Sequence, residues 1–427
     1  MAPAAARATN VATWRAGSAE STSAMKRARD DSSIDAVRGA VTDLVASGAV
    51  PMLGCLIAHQ GEVLLDFAAG NARDGLALDS STLIRIYSMT KPIVSVAVLM
   101  LVEEGAIPSL DAPLSSALPE WSDARVRVLA DDDLKSVPAV RPITIRHLLT
   151  HTAGFAYGFM SEHTDKRIAH IATLYRQRAL ELPHSVKDHG EAVEPLPASL
   201  RDFVARLNEV PLARQPGERF EYSVATDVLG ALIEAVTAEP LADFVTRRIL
   251  APLGMGDTRF VIGDADLPRL ATCYRGVGKG EWDLARDGGI DATDARSPWY
   301  ASSGATPRQL PSGGGGLVST ARDYLKFATM LARGGRLGES RSDGRLISEA
   351  SIAEARREQL GPMGADRGGL MDVFQGWGLL GAVTVRHPGR ATALPSHKVR
   401  GGCMIDARAV LSRSPLTRDA RRRRWAP

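Results

Sequence analysis

The stretch that decides the fold of this 427-residue chain is Arg85-Ile86-Tyr87-Ser88-Met89-Thr90-Lys91-Pro92-Ile93-Val94-Ser95-Val96-Ala97-Val98-Leu99-Met100-Leu101-Val102-Glu103-Glu104-Gly105. Its second half is apolar around nearly the whole helical circumference and ends in Glu-Glu-Gly, which predicts a buried helix that stops at Gly105. Pro92 suits the first turn of such a helix, where its missing N–H costs no hydrogen bond. The pattern therefore predicts Ser88 at the positive end of a buried helix, with Lys91 one turn later on the same side.

Ser88 and Lys91 are a candidate nucleophile and base. A serine hydroxyl alone is a weak nucleophile, but a neighbouring amine that burial favours in its neutral form can accept its proton. The Ser-x-x-Lys pattern on its own is weak evidence, because Ser23-Ala24-Met25-Lys26 repeats it in a polar N-terminal stretch. The assignment of Ser88 as nucleophile therefore depends on the buried helix behind it and on the motifs that follow.

The composition argues against several classes of protein. The chain is 44% hydrophobic and 24% charged, which is typical of a globular protein with one large core or two smaller ones. The net charge is +3, but it is unevenly placed: residues 412–427 alone carry +5, from six arginines and one acid without interleaved aromatic residues, and the rest of the chain carries about −2. Such a run is typical of a solvated tail, so we expect no nucleic-acid partner. Cys55, Cys273 and Cys403 are scattered, which argues against a disulfide framework and a zinc ribbon.

Other patterns bear on location and on metal binding. Residues 1–29 contain no apolar segment typical of a secretory signal, and no apolar stretch approaches the roughly 18 residues that span a bilayer. We therefore expect a soluble, cytoplasmic protein without a membrane partner. His147 and His151 lie four residues apart, but the glutamate of a zinc-protease helix and a third ligand are missing. We expect no metal and no cofactor.

The order of the patterns predicts an α+β protein of two lobes. Residues 1–31 are rich in alanine, serine and arginine without periodicity, and we expect a disordered tail there. Residues 32–105 and 336–406 are predicted to form a sheet lobe. Residues 106–335 are predicted to form a mostly helical lobe, because helical patterns alternate there with Pro- and Gly-bearing loops. Residues 407–427 are expected to form a disordered basic tail.

Local patterns define the first elements of the sheet lobe. Ser33 is placed to cap an amphipathic helix that stops at Gly48. Residues 52–58 and 63–69 flank His59-Gln60-Gly61-Glu62 and predict a β-hairpin. No further strand is predicted until after Val373.

Two motifs of the helical lobe have open interpretations. Tyr222 precedes an amphipathic helix for which Ser223 is the predicted cap. The tyrosine can be a wall residue, or it can hold its phenol over a cleft as an acid or base. Residues 311–323 are glycine-rich but lack the Gly-Lys-Ser/Thr of a phosphate loop, so they predict a tight passage into a helix capped by Ser319 or Thr320. The chain contains no Gly-x-Ser-x-Gly elbow of an α/β-hydrolase.

Several motifs together carry a resemblance to a known family. They are Ser88-Met89-Thr90-Lys91, the segment from Thr144 to Gly154, Pro216-Gly217 with Tyr222-Ser223, Leu253-Gly254-Met255, and the segment from Gly313 to Thr320. Their order and spacing resemble the serine β-lactamase-like superfamily, and most of all class C β-lactamases and family VIII carboxylesterases. The resemblance extends over about residues 33–385.

The resemblance implies a fold and a mechanism. The fold would be β-lactamase/transpeptidase-like, with an antiparallel sheet flanked by helices, a mostly helical second lobe and a cleft between them. Ser88 would be the acylated nucleophile and Lys91 its proton acceptor. Tyr222 would shuttle the proton to the leaving group and activate water. The backbone N–H of Ser88 would supply one donor of the oxyanion hole.

Two departures from the family pattern favour esters over β-lactams as substrates. β-Lactamases and penicillin-binding proteins carry Tyr-x-Asn or Ser-Asp-Asn, followed by Lys-Thr-Gly. Here Tyr222 is followed by Ser223-Val224, so the asparagine amide that grips an acylamino side chain is missing. Lys-Thr-Gly is absent as well. Esterase-like members of the family tolerate both changes.

The third motif of the family has no close counterpart. Gly376-Trp377-Gly378-Leu379 resembles the strand before that motif, and His387-Pro388-Gly389 places a proline where a strand should pair. Arg400-Gly401-Gly402 is the remaining candidate, so Gly401 or Gly402 is the candidate second donor of the oxyanion hole. The arginine-rich C-terminus is either diverged or encoded out of frame.

The sequence therefore predicts a serine carboxylesterase that cleaves short-chain acyl esters through a Ser88 acyl-enzyme. Its partner would be a small-molecule ester, and its oligomeric state is left open. An acyltransferase or a β-lactamase that uses the same acyl-enzyme is the alternative. A catalytically impaired penicillin-binding-like protein is a further interpretation.

Overall fold

The structure is a computed structural model. It describes residues 32–384 except 60, 123–124, 131–133, 159–164, 181–196, 279–280, 285, 288–289, 292–309, 341, 343 and 362–374. The predicted tails and the candidate oxyanion donors Gly401 and Gly402 lie outside the described residues.

Helices and short strands alternate along the described chain. The helices are α1 (Ser32–Ala46), α2 (Thr90–Glu103), α3 (Ile145–Leu149), α4 (Lys166–Gln177), α5 (Leu200–Asn208), α6 (Ala225–Thr237), α7 (Leu241–Val245), α8 (Ala321–Ala332) and α9 (Glu349–Arg356). The strands are β1 (Met52–His59), β2 (Glu62–Arg73), β3 (Leu76–Ala77), β4 (Ile84–Arg85), β5 (Arg127–Leu129), β6 (Ser136–Pro138), β7 (Tyr274–Gly278), β8 (Glu281–Leu284), β9 (Arg286–Asp287), β10 (Ile290–Asp291), β11 (Val318–Ser319), β12 (Gln375–Trp377) and β13 (Ala382–Thr384).

The N-terminal part of the fold is the predicted hairpin with helices packed against it. β1 and β2 pair antiparallel from Met52↔Gly70 to His59↔Glu62, and β3 extends the sheet beyond β2. Helix α1 packs on both long strands, and α8 packs on β1. Gly48 follows α1 with φ of +71°, a left-handed conformation that glycine adopts without strain, so it ends the helix as predicted.

Helix α2 is the centre of the apolar core, as its sequence predicted. Its residues from Ile93 to Leu101 are buried on every side of the helix. Helices α6 and α7 pack against it. Fully burying a Val or Leu side chain is worth about 1.5–3 kcal/mol relative to exposure, so this run holds the helix firmly in place. The N-terminal end of α2 is thereby a fixed platform for the residues that precede it.

The middle of the chain is mostly helical but also contains short hairpins. β5 pairs with β6 and β7 pairs with β8, both antiparallel. The expectation of no strand between the first hairpin and Val373 was therefore wrong. These strands are only three to five residues long, and such short segments have too little alternation to be distinguished from loops.

One apolar cluster connects the two predicted lobes. It extends from Ile86 through α2 and α6 to Leu379 and Leu380, close to β12. The boundaries of the lobes at residues 105/106 and 335/336 stay a prediction. Among the described helices, none is both long enough and apolar enough to cross a membrane.

The packing of α6 against α2 generates a stability prediction. Leu229 in α6 is fully buried in the core, whereas Leu44 in α1 is 43% exposed. We expect Leu229→Ala to lower the free energy of unfolding by about 2–5 kcal/mol, because it removes buried methyl groups and leaves a cavity. The same substitution at Leu44 should cost less than about 1 kcal/mol. Urea unfolding of both variants measures the difference, and equal losses would contradict this packing.

Candidate active site

Ser88 lies on a strained turn at the N-terminal end of α2. Strand β4 leads directly into a 3₁₀ turn at Tyr87–Met89, which continues into the helix. Tyr87 has φ of +41°, an unfavourable left-handed conformation for a residue with a side chain. Ser88 is exposed, whereas Met89, Thr90 and Lys91 after it are buried. The turn thus presents the Ser88 hydroxyl to solvent at the positive end of a buried helix.

The Lys91 ammonium group is enclosed by three oxygen acceptors. Its side chain is buried, and Nζ donates to Ser88 Oγ at 3.2 Å, to Tyr157 OH at 3.1 Å and to the carbonyl oxygen of Gly314 at 2.7 Å. Nζ also lies over the rings of Tyr157 and Tyr222, at 5.3 and 4.7 Å from their centroids. The three acceptors match the three N–H donors of an ammonium group.

Tyr222 completes the contact set of Ser88. Its phenol OH donates to Ser88 Oγ at 2.7 Å. The structure therefore brings together Ser88, Lys91 and Tyr222, the residues that the motifs singled out. Tyr222 lies in the segment that leads into α6, and its ring is half-buried.

Aromatic rings surround Tyr222 on its core side. His151 lies 4.7 Å from the Tyr222 ring centroid, and Trp377 lies 5.8 Å away. Trp377, on β12, donates its Nε1–H to the carbonyl oxygen of Leu149 at 3.1 Å. The strand with Gly376-Trp377 thus packs against Tyr222, and its assignment as the strand before the third motif stays a prediction.

A buried carboxylate organises the glycine-rich segment beside Lys91. Asp227 Oδ1 accepts hydrogen bonds from Ser312 Oγ at 2.6 Å and from the Gly314 N–H at 3.0 Å. The same Gly314 peptide presents its carbonyl oxygen to Lys91. Burial raises the pKa of the Asp227 carboxyl, while the Ser312 hydrogen bond and the Lys91 charge oppose that rise.

Close approach of neighbouring atoms disfavours a side chain at Gly313 and at Gly314 of this segment. A Cβ at Gly313 would lie 2.4 Å from the carbonyl oxygen of Thr226. A Cβ at Gly314 would lie 2.6 Å from Asp227 Oδ2 and 2.9 Å from Tyr157 OH. The segment enters β11 and then α8, where Thr320 accepts a hydrogen bond from Asp323 N–H as the predicted cap.

Tyr157 and Asp227 were not predicted as site residues. Burial, with the negative charge of Asp227, raises the pKa of the Tyr157 phenol well above its usual value, so the phenol is neutral beside Lys91. Asp227 could have been found from the sequence, because it is an acidic residue among the apolar positions of α6, five residues after Tyr222. No comparable signal marked Tyr157.

The two histidines of the segment 147–151 have separate structural partners. His147 Nδ1 accepts the Thr144 N–H at 3.2 Å and closes a capping box at the start of α3. His151 Nδ1 accepts the Ser223 N–H at 3.2 Å. Ser223 therefore does not cap α6 with its side chain as predicted, because its Oγ faces His151 at 3.1 Å.

Among the described residues, no three His, Cys, Asp or Glu side chains are grouped to hold a metal.

Comparison with known proteins places this geometry in a family. The family model described as Beta-lactamase matches residues 37–404. Esterase EstB of Burkholderia gladioli is 35% identical over 354 residues, which cover 80% of this chain and 77% of that protein. Lovastatin esterase of Penicillium rubens is 29% identical over 281 residues, which cover 65% of this chain and 60% of that protein.

A solved structure shows the same fold. EstCE1, described as a hydrolase with promiscuous acyltransferase activity, superposes with a TM-score of 0.63 at 27% identity. The superposition covers 86% of this chain and 85% of that chain. The fold is thus the predicted α+β, β-lactamase/transpeptidase-like architecture. The family model matches most of the length of this chain. The chain therefore belongs to the β-lactamase family, within the serine β-lactamase and transpeptidase-like superfamily.

Proposed function

We propose that this protein is a serine carboxylesterase that cleaves small acyl esters through an acyl-enzyme on Ser88. The observation that carries the proposal is the position of Ser88 Oγ, 2.7 Å from Tyr222 OH and 3.2 Å from Lys91 Nζ. A nucleophile within hydrogen-bond reach of both an amine and a phenol has the groups that acyl transfer needs. The similarity to EstB and lovastatin esterase supports the same reaction class.

The proposed reaction has two halves. In the first, Ser88 Oγ attacks the ester carbonyl carbon while its proton passes to Lys91 Nζ, which accepts it in the neutral amine form. The tetrahedral oxyanion forms near the N–H of Ser88, at the positive end of α2. As the C–O bond to the alcohol breaks, the Tyr222 phenol gives its proton to the leaving oxygen and takes up the proton held by Lys91, so both groups return to their starting protonation. In the second half, water adds to the acyl-enzyme by the same route and releases the acid.

The side chains beside Tyr222 favour esters over β-lactams. Val224 occupies the position of the family's asparagine and is buried in the apolar core. It offers no amide to an acylamino side chain, whose polar groups would lose their hydrogen bonds on binding. A simple ester has no such group, so it binds without that cost.

Acyl transfer to an alcohol is the second candidate activity. An alcohol can replace water in the second half of the reaction without any change in the roles of Ser88, Lys91 and Tyr222. EstCE1 is described as having promiscuous acyltransferase activity in addition to hydrolysis, which supports this alternative.

Removal of the nucleophile tests the proposal. Ser88→Ala should lower hydrolysis of p-nitrophenyl butyrate by about 10³-fold or more, because the other members of a catalytic unit contribute little without the nucleophile. The spectrophotometric release of p-nitrophenol measures the rate. Ser23→Ala is the matched control, since Ser23 belongs to the other Ser-x-x-Lys sequence, and it should retain the full rate. A Ser88→Ala variant with most of the wild-type rate would show that Ser88 is not the nucleophile.

The substrate preference is tested with a chromogenic cephalosporin. We expect kcat/KM for nitrocefin to lie at least about 100-fold below that for p-nitrophenyl butyrate, because Val224 leaves the acylamino group without a partner. Both substrates are measured on one preparation, with Ser88→Ala as the blank for each. Comparable values for the two substrates would indicate a β-lactamase rather than an esterase.

A further inference from the structure

We infer that His151 is a positioning residue that clamps Tyr222 from both sides and aims its phenol at Ser88. The inference deepens the proposed esterase function and rests on it. His151 would act on the reaction through Tyr222.

The first part of the clamp is made of backbone hydrogen bonds on either side of Tyr222. The Glu221 N–H donates to the carbonyl oxygen of His151 at 2.8 Å. The Ser223 N–H donates to His151 Nδ1 at 3.2 Å. The residues before and after Tyr222 are therefore both tied to His151, so the peptide units that orient the tyrosine side chain cannot rotate independently.

The second part of the clamp is the imidazole ring. It packs on the Tyr222 ring with a centroid distance of 4.7 Å and an interplanar angle of 46°. Trp377 packs edge-on against the imidazole with ring centroids 5.3 Å apart, and its ring also lies 5.8 Å from that of Tyr222. Because Trp377 is anchored by its bond to Leu149, the imidazole has a rigid support behind it. The phenol is left to point toward Ser88.

The local backbone suits this role. His151 has φ of +52°, in the left-handed region, where histidine, asparagine and aspartate are several-fold enriched among residues with a side chain. This conformation follows α3 and directs the carbonyl oxygen and the ring of His151 toward the same segment, residues 221–223. One residue can thus supply both acceptors.

The clamp requires a neutral imidazole. Nδ1 must keep its lone pair to accept the Ser223 N–H, so the ring proton lies on Nε2. Burial, together with the positive charge of Lys91, lowers the pKa of His151 well below its usual value. The neutral ring also avoids a second positive charge beside the Lys91 ammonium.

The test separates the acceptor from the ring. His151→Asn keeps an acceptor near Nδ1 and tolerates the left-handed backbone, whereas His151→Phe keeps a ring and loses the acceptor. We expect His151→Phe to lower kcat for p-nitrophenyl butyrate by about 100-fold with KM changed less than about threefold, since a small misplacement of the phenol slows chemistry without weakening binding. The kcat of His151→Asn should be at least about tenfold higher than that of His151→Phe.

Two controls distinguish positioning from a general structural role. His147→Phe removes an equivalent Nδ1 acceptor, 3.2 Å from a backbone N–H, at a site away from Tyr222, and should leave kcat unchanged. In a Tyr222→Phe background, His151→Phe should cause no further loss of kcat, because the phenol hydroxyl that His151 orients has already been removed. Circular dichroism melts confirm that each variant is folded.

The outcomes distinguish failure of this inference from failure of the proposed function. If wild-type hydrolysis does not depend on Ser88, the esterase proposal fails. If hydrolysis depends on Ser88 but folded His151→Phe keeps the wild-type kcat, the clamp alone is refuted. Equal losses in the wild-type and Tyr222→Phe backgrounds would also refute it, because His151 would then act independently of Tyr222.

Discussion

The enclosure of the Lys91 ammonium is the interaction on which the site and its surroundings depend. A buried charge costs several kcal/mol unless hydrogen bonds and an opposite charge replace water. Here Gly314 O, Tyr157 OH and Ser88 Oγ accept its three N–H groups. Asp227 lies behind the Gly314 peptide and supplies the opposite charge. Helix α2 carries Lys91, α6 carries Asp227, and the glycine-rich segment supplies the Gly314 carbonyl, so the three elements meet at this point.

The carbonyl of Gly314 reaches Lys91 only because the chain approaches very closely there. Any side chain at position 314 would collide with Asp227 and Tyr157. The Gly314 N–H donates to Asp227, and this hydrogen bond orients the peptide. Asp227 thereby holds the Gly314 carbonyl oxygen in place to accept the Lys91 hydrogen bond. The same helix, α6, carries Asp227 in its first turn and follows directly after Tyr222. One helix terminus therefore positions both the phenol and the counter-charge relative to Ser88.

The features that could be predicted from sequence are those encoded by local periodicity. The apolar run after Lys91 predicted α2 and the shared orientation of Ser88 and Lys91, and the segments around Gly61 predicted the first hairpin. Tyr157, Asp227 and His151 gain their roles from residues far away in the chain, such as the 66 positions between Lys91 and Tyr157. Local sequence patterns cannot predict contacts between residues so far apart in the chain. Ser223 was assigned as a cap for the same reason: its helix-start signal is local, whereas its partner His151 is 72 positions away.

The most direct test of the central claim compares Gly314→Ala with Gly315→Ala. A Cβ at Gly315 meets its nearest atoms, in Tyr87, at 3.8 Å, so this neighbouring substitution is a matched control. The measurement is the rate at which a fluorophosphonate labels Ser88, with the labelled peptide identified by mass spectrometry. We expect Gly314→Ala to slow labelling by about tenfold or more, because a hydrogen bond to a charged group is worth about 1.5–3 kcal/mol. Gly315→Ala should label at close to the wild-type rate. Equal labelling rates for the two folded variants would contradict the dependence of Ser88 on the anchored Lys91.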